Sequence, residues 1–203
     1  MTRIKLCGLS GFCDIEAANQ LKPEYIGFVF AKKSRRYVSP EKAAELKQQL
    51  DPDIKAVGVF VNEKPESIYD LLKTGTIDII QLHGGEAESY ISQLRQFTDQ
   101  LIIKAFSVER EKDIEAANVS SADHILLDSG KGGTGTVFDW NLIKKMSRPY
   151  FLAGGLTVSN VGDAVRVLKP YAVDVSSGIE TDGFKDQNKM RAFVKAVRMM
   201  SGK

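Results

Sequence analysis

The stretch AVGVFVNEKPESIYDLLKTGTIDIIQLH, residues 56–83, is where the fold is decided. It opens with a β-branched run, AVGVFV (56–61), and closes with another, DIIQLH (78–83). Between them PESIYDLLKTG repeats its apolar residues at helical spacing, starts on a proline suited to a first turn, and stops at Gly75, as a helix C-terminus should. Two strands separated by a whole helix cannot form a tight hairpin. The helical crossover makes them parallel.

The same unit recurs on either side. Further strand-like runs are RIKLC (3–7), YIGFVF (25–30), LIIKAF (101–106), HILLD (124–128), YFLAG (150–154) and AVDVSS (172–177), eight in all with the first two. Their starts lie about twenty to thirty residues apart, the length of one βα unit. SPEKAAELKQQL, with Ser39 as N-cap and Pro40 at the first helical position, is one of the intervening helices. Eight such units predict an α/β fold, a (β/α)8 TIM barrel of eight parallel strands. No linker or low-complexity tract interrupts the alternation, so residues 1–203 are expected to form a single domain. An open doubly wound sheet fits less well, because CGLSGFCD after the first strand lacks the first glycine of the G-x-G-x-x-G spacing.

With a formal net charge of +2 and 27% charged residues, the chain is neither a disordered segment nor a strongly basic nucleic-acid binder. MTRIKLCG is followed by no long apolar stretch, so neither a signal peptide nor a membrane span is expected, and the expected location is the cytoplasm. The two cysteines, Cys7 and Cys13, are too few for a disulfide framework and have no zinc spacing. They are expected as reduced thiols, with no metal site. The oligomeric state stays open, because an apolar dimer face cannot be told from a helix-packing face in the sequence.

Barrel active sites lie at the C-terminal ends of the strands. Strand alternation places Lys5 with Cys7, Gln81 with His83, Leu126 with Asp128, and Asp174 with Ser176. The charge on Lys5 suits the barrel interior better than the apolar helix layer, so this face reads as inward, with Cys7 at the rim. Plainer readings stand beside these. A free cysteine is often a small core hydrophobe, Asp128 before Ser-Gly can cap a turn, and His83 can satisfy a backbone carbonyl. Lys5 and Asp174 lie on the first and last strands and are expected to pair where the barrel closes, since two unpaired inward charges would be costly. His124, at the start of its strand, reads as structural, and Cys13 as a core residue.

Three loops have the composition of anion sites or covers. AGGLTVSN (153–160) and SSGIETDG (176–183) put Gly154, Gly155, Ser177 and Gly178 where backbone N–H groups cradle phosphates in such barrels, although glycines also serve tight turns. AKKSRRYVSP (31–40) carries Lys32, Lys33, Arg35 and Arg36 above the rim. Such a run is ordinarily a solvated face, but here an arginine could take a carboxylate bidentately, so the expected ligand is anionic at both ends. SGKGGTGTVFDW (129–140) reads as a lid over Asp128 and lacks the ending of a P-loop.

The ordered set KLCG, GFVF, SRRYVS, VGVFVN, QLHG, LLDS, GGTG with FDW, LAGGL, VDVSSGIE and GFKD resembles the phosphoribosylanthranilate isomerases of tryptophan biosynthesis over almost the whole chain. The resemblance implies a (β/α)8 fold and an Amadori rearrangement of N-(5-phosphoribosyl)anthranilate that needs no cofactor. It makes Cys7 the general base, Asp128 the general acid and Arg36 the partner of the anthranilate carboxylate. Gly154, Gly155, Ser177 and Gly178 fall on the phosphate clamp, and His83 on the substrate-binding rim. The implied partner is a small anionic sugar phosphate carrying anthranilate, not nucleic acid or membrane. Ser10 departs from a frequent threonine and Asp182 from a frequent proline.

The chemistry asks for such a pair. Protonation of the ring oxygen opens the aldosylamine to an iminium, and removal of the C2 proton gives an enolamine that tautomerises to the ketone. A thiol base has to fall toward working pH from about 8.5, and Lys5 is expected to supply the positive charge for that. The lid is expected to help Asp128 keep its proton by excluding water. A related isomerase of histidine biosynthesis uses two aspartates, whereas strand one here ends in Cys7. An indole-forming synthase needs lysine and glutamate at strand ends, which this rim lacks apart from inward Lys5 and Lys104. A sugar-phosphate sensor without turnover would not need both Cys7 and Asp128.

Overall fold

Branched and aromatic side chains make strands because they pack well on a pleated surface. The computed structural model describes residues 1–128 and 140–201. Eight runs form strands β1 (Arg3–Cys7), β2 (Tyr25–Val29), β3 (Lys55–Phe60), β4 (Ile79–Leu82), β5 (Ile102–Ser107), β6 (His124–Asp128), β7 (Tyr150–Leu152) and β8 (Ala172–Val175). They close into a barrel in chain order, every pairing parallel, with β8 beside β1. The (β/α)8 expectation holds. Observed ends differ from the sequence runs by a residue or two: β4 stops before His83, β7 before Gly154 and β8 before Ser176. Those residues belong to the loops that begin where neighbouring strands part and ladder bonds end.

Helices α1 (Phe12–Leu21), α2 (Pro40–Gln48), α3 (Pro65–Lys73), α4 (Glu88–Leu94), α5 (Glu111–Val119), α6 (Trp140–Ile143), α7 (Val161–Leu168) and α8 (Gln187–Ser201) follow the strands in turn. The Ser39 hydroxyl accepts from Lys42 N–H at 3.2 Å, and α3 gives way to Gly75 after one further residue, as the sequence predicts. Among the described residues no helix is long and apolar enough to cross a membrane. Residues 129–139, to which the lid expectation belongs, lie outside them.

Two apolar layers result. One lies between barrel and helices and includes Leu6, Phe28, Phe60 and Phe193; the other fills the barrel with Tyr25, Val57, Ile79, Ile103, Leu126 and Phe151. Both faces of β2 are buried, as parallel strands between helices and interior require. Cys13 corrects a sequence expectation, for it is exposed. It stands two residues, about 200° of helix, from Ile15, so the face that buries Ile15 and Ala18 turns it outward.

At the N-terminal end of the barrel His124 stacks on Tyr171 at 5.0 Å and meets Phe151 edge-on at 5.8 Å. The Tyr25 and Tyr171 hydroxyls lie 3.3 Å apart. His124 is thus part of the closing plug at the end opposite Cys7, as its place at the start of its strand predicts.

Candidate active site

Strand ends far apart in the chain assemble the polar rim. Cys7, the last residue of β1, is buried with Val29 and Val59. Gly27 on β2 is its register partner, and a Cβ there would come within 2.6 Å of the Cys7 sulfur. Only glycine leaves the thiol its place. Asp128, the last residue of β6, is half-buried, and His83 Nε2 lies 3.4 Å from its Oδ2. The Gln81 amide nitrogen donates to His83 Nδ1 at 2.9 Å, which puts the ring proton on Nε2, facing Asp128. His83 therefore serves two side chains rather than a backbone carbonyl.

Cys7, Arg36, His83, Asp128, Gly154, Gly155 and Ser177 line one cleft of about 290 Å³ at the C-terminal end of the barrel. That is the size of a site for a small ligand. Gly178 is not on its wall. A Cβ there would stand 1.9 Å from the Leu156 carbonyl oxygen, so Gly178 is what lets the loop after β8 press against the loop after β7. Below the cleft Lys5 Nζ donates to Asp174 Oδ2 at 2.8 Å, both residues being buried and paired in register across the β1–β8 seam, as expected. Asp174 Oδ1 and Gln81 Oε1 are buried without a hydrogen-bond partner among the described residues, and both side chains border the cleft.

Of the four basic side chains after β2, Lys32, Lys33 and Arg35 are exposed and only Arg36 turns to the cleft. Its Nε and Nη2 donate to Glu180 Oε1 and Oε2 at 2.6 and 2.8 Å. Lys104 corrects the expectation of an inward side chain: Ile103 and Ala105 fill the interior, so alternation turns Lys104 to the helix side with Ile102, where it donates to Glu86 Oε2 at 2.8 Å and to the Gly84 carbonyl at 2.7 Å. Among the described residues no three His, Cys, Asp or Glu side chains are grouped so as to hold a metal ion.

The model of the N-(5'-phosphoribosyl)anthranilate isomerase family matches residues 4–196. The chain belongs to the phosphoribosylanthranilate isomerase family. A relative of that name from Clostridium acetobutylicum is 46% identical over 206 residues, with 98% of each chain covered. The crystal structure of phosphoribosyl anthranilate isomerase from Thermotoga maritima superposes with a TM-score of 0.90 at 39% identity, covering 98% of this chain and all of that one. Another structure of phosphoribosyl anthranilate isomerase, in complex with reduced 1-(o-carboxyphenylamino)-1-deoxyribulose 5-phosphate, is 38% identical with a TM-score of 0.87, over 98% of this chain and 100% of the other.

The electrostatics at Cys7 differ from the sequence expectation. Burial pushes the thiol up from its ordinary value and outweighs the downward pull of Lys5, while Asp174 adds to the rise. The reason is geometric: the Lys5 ammonium is fully buried and its charge is neutralised at 2.8 Å by Asp174. Glu180 and Lys185 lie within the motifs VDVSSGIE and GFKD, but no spacing in the sequence marks them as partners of Arg36. A signal for them existed in TDG (181–183), since Asp-Gly between two short runs marks a hairpin.

Proposed function

We infer that the chain catalyses the Amadori rearrangement of N-(5-phosphoribosyl)anthranilate to 1-(2-carboxyphenylamino)-1-deoxyribulose 5-phosphate, the isomerase step of tryptophan biosynthesis, and that it does so as one (β/α)8 domain over residues 1–203. Asp128 gives its proton to the ring oxygen as the C1–O bond breaks, leaving an iminium between C1 and the arylamine nitrogen. The Cys7 thiolate takes the proton from C2, and the electron pair neutralises the iminium to give the enolamine. Loss of the C2 hydroxyl proton and protonation of C1 complete the aminoketone. Arg36 takes the anthranilate carboxylate, and N–H groups of the Gly154–Gly155 and Ser177–Gly178 turns take the phosphate. His83 orients Asp128 and the substrate beside it. The orphan acceptors Asp174 Oδ1 and Gln81 Oε1 accept from sugar hydroxyls. The cytoplasm suits this reading, since both cysteines are free thiols.

One observation carries the assignment of roles: a thiol and a carboxyl group, Cys7 and Asp128, border a single cleft whose wall also holds Arg36 and the glycine turn after β7. Anthranilate fluorescence tests it with purified protein. Turnover abolishes the substrate signal and binding alone only shifts it, so a signal that shifts without disappearing would reduce the protein to a binder.

A further inference from the structure

Arg36 meets the cleft already held. Glu180 opens a two-stranded hairpin, β9 (Glu180–Thr181) and β10 (Phe184–Lys185), that follows β8 and a short 3₁₀ turn. Asp182 and Gly183 at its tip have φ of 54° and 86°, the left-handed pair of a type I′ turn. Proline, confined to φ near −65°, could not occupy position 182 in this turn. The departure noted in the sequence thus goes with this left-handed turn, and the hairpin sets Lys185 directly opposite Glu180.

The three charges form one nearly dry cluster. Side-chain exposure is 8% for Glu180, 3% for Lys185 and 32% for Arg36, so Arg36 alone reaches outward. Lys185 Nζ donates to Glu180 Oε1 at 2.5 Å, to the Ser176 carbonyl at 3.0 Å and to Ser176 Oγ at 3.3 Å. Ser176 Oγ in turn donates to the Cys7 carbonyl at 3.1 Å, which ties the hairpin to the end of β1. A guanidinium has five N–H groups in a planar fork and two edges that fit a carboxylate. Glu180 occupies the edge made by Nε and Nη2. Among the described residues none takes the edge made by Nη1 and the second Nη2 proton, which leaves it for another carboxylate in the same plane.

We propose that Glu180 is a positioning residue for the isomerisation, gripping Arg36 by one edge so that the opposite edge is presented, already oriented, to the aryl carboxylate of the substrate. Lys185 offsets the Glu180 charge and leaves the cluster net cationic. The proposal rests on the reading that Arg36 receives that carboxylate. It differs in sign from a simple charge effect, because replacing Glu180 by a neutral residue makes the cluster more positive and would tighten anion binding if charge alone mattered. Loss of orientation weakens it instead.

Steady-state kinetics of the purified full chain decide, using N-(5-phosphoribosyl)anthranilate and the same sugar phosphate on aniline, the latter as substrate or as competitive inhibitor. Glu180→Gln is expected to raise KM for the anthranilate compound about tenfold, the scale of one charged hydrogen bond, with kcat changed far less. Binding of the aniline compound should not change. In an Arg36→Ala background Glu180→Gln should add nothing. A folded Glu180→Gln enzyme with unchanged or lowered KM overturns the proposal, as does an equal loss for both compounds, which would mean a purely structural role. If Arg36→Ala itself leaves KM for the anthranilate compound unaltered, the reading of Arg36 fails, a result separate from the other two. Should Glu180→Gln not fold, Glu180→Asp, which withdraws the carboxylate by one methylene, is expected to raise the same KM selectively, and its failure to do so counts equally against the idea.

Discussion

A thiol in a dry site keeps its proton longer than one in water, and Cys7 is such a thiol. Its value is pushed up, so the thiolate grows in only as pH rises. In kcat/KM, which reports the free enzyme, the ascending limb should therefore run beyond about pH 8.5. The alkylation rate of Cys7 should follow the same curve, and a plateau already reached near pH 7 would contradict the burial argument. Cys7→Ala and Asp128→Asn should each lower kcat by about 10² to 10⁴, read in the fluorescence assay. Lys5 belongs to the same scale but acts on stability. Lys5→Met leaves Asp174 buried without its cation, and denaturant unfolding should record a loss of about 3–5 kcal/mol. The polar identity of Lys5, Cys7 and Asp174 was readable from strand alternation. That the lysine is neutralised, and so cannot pull the thiol down, depended on a partner 169 residues away.

Elements obey mostly local rules, and their existence was correspondingly easy to read. Helix α2 has its serine cap and its proline, so Ser39→Ala should cost about 1 kcal/mol in a thermal or denaturant melt while kcat stays near wild type. A loss of activity larger than the loss of stability would mean that the start of α2 also sets the Arg36 loop. Element ends were less legible. YFLAG and AVDVSS are uniform as sequence, yet β7 ends at Leu152 and β8 at Val175, because a strand stops where its neighbours diverge. Strands of two residues leave no periodicity, so in the sequence only the Asp-Gly tip announces the hairpin β9–β10.

At the scale of the molecule, acid should weaken the barrel in two successive pH ranges. Burial holds His124 below its ordinary value within the aromatic plug. Its neutral form is the folded one, so this contribution is complete above about pH 6.5 and is lost as pH falls through the folded value. For Glu86 burial acts upward, but hydrogen bonds from Lys104 and from the Asn62 N–H hold the carboxyl below its usual range. Glu180 is lowered in the same way by Arg36 and Lys185 against its burial. Stability from these two is present above about pH 4.3 and disappears as pH drops through their folded values. Urea midpoints measured from about pH 8 down to about pH 2 should show both decrements, and His124→Gln should abolish the first alone. The alternation of strand and helix, the parity of each strand and the chemistry of its last residue were fixed by the chain itself, since they depend on neighbours within one βα unit. Which charges cancel, which arginine edge stays open and how dry the thiol becomes were decided only by closure of the barrel. Closure brings β1 beside β8 and lays the hairpin after β8 against the Arg36 loop, contacts whose energies belong to pairs of residues that no local pattern relates.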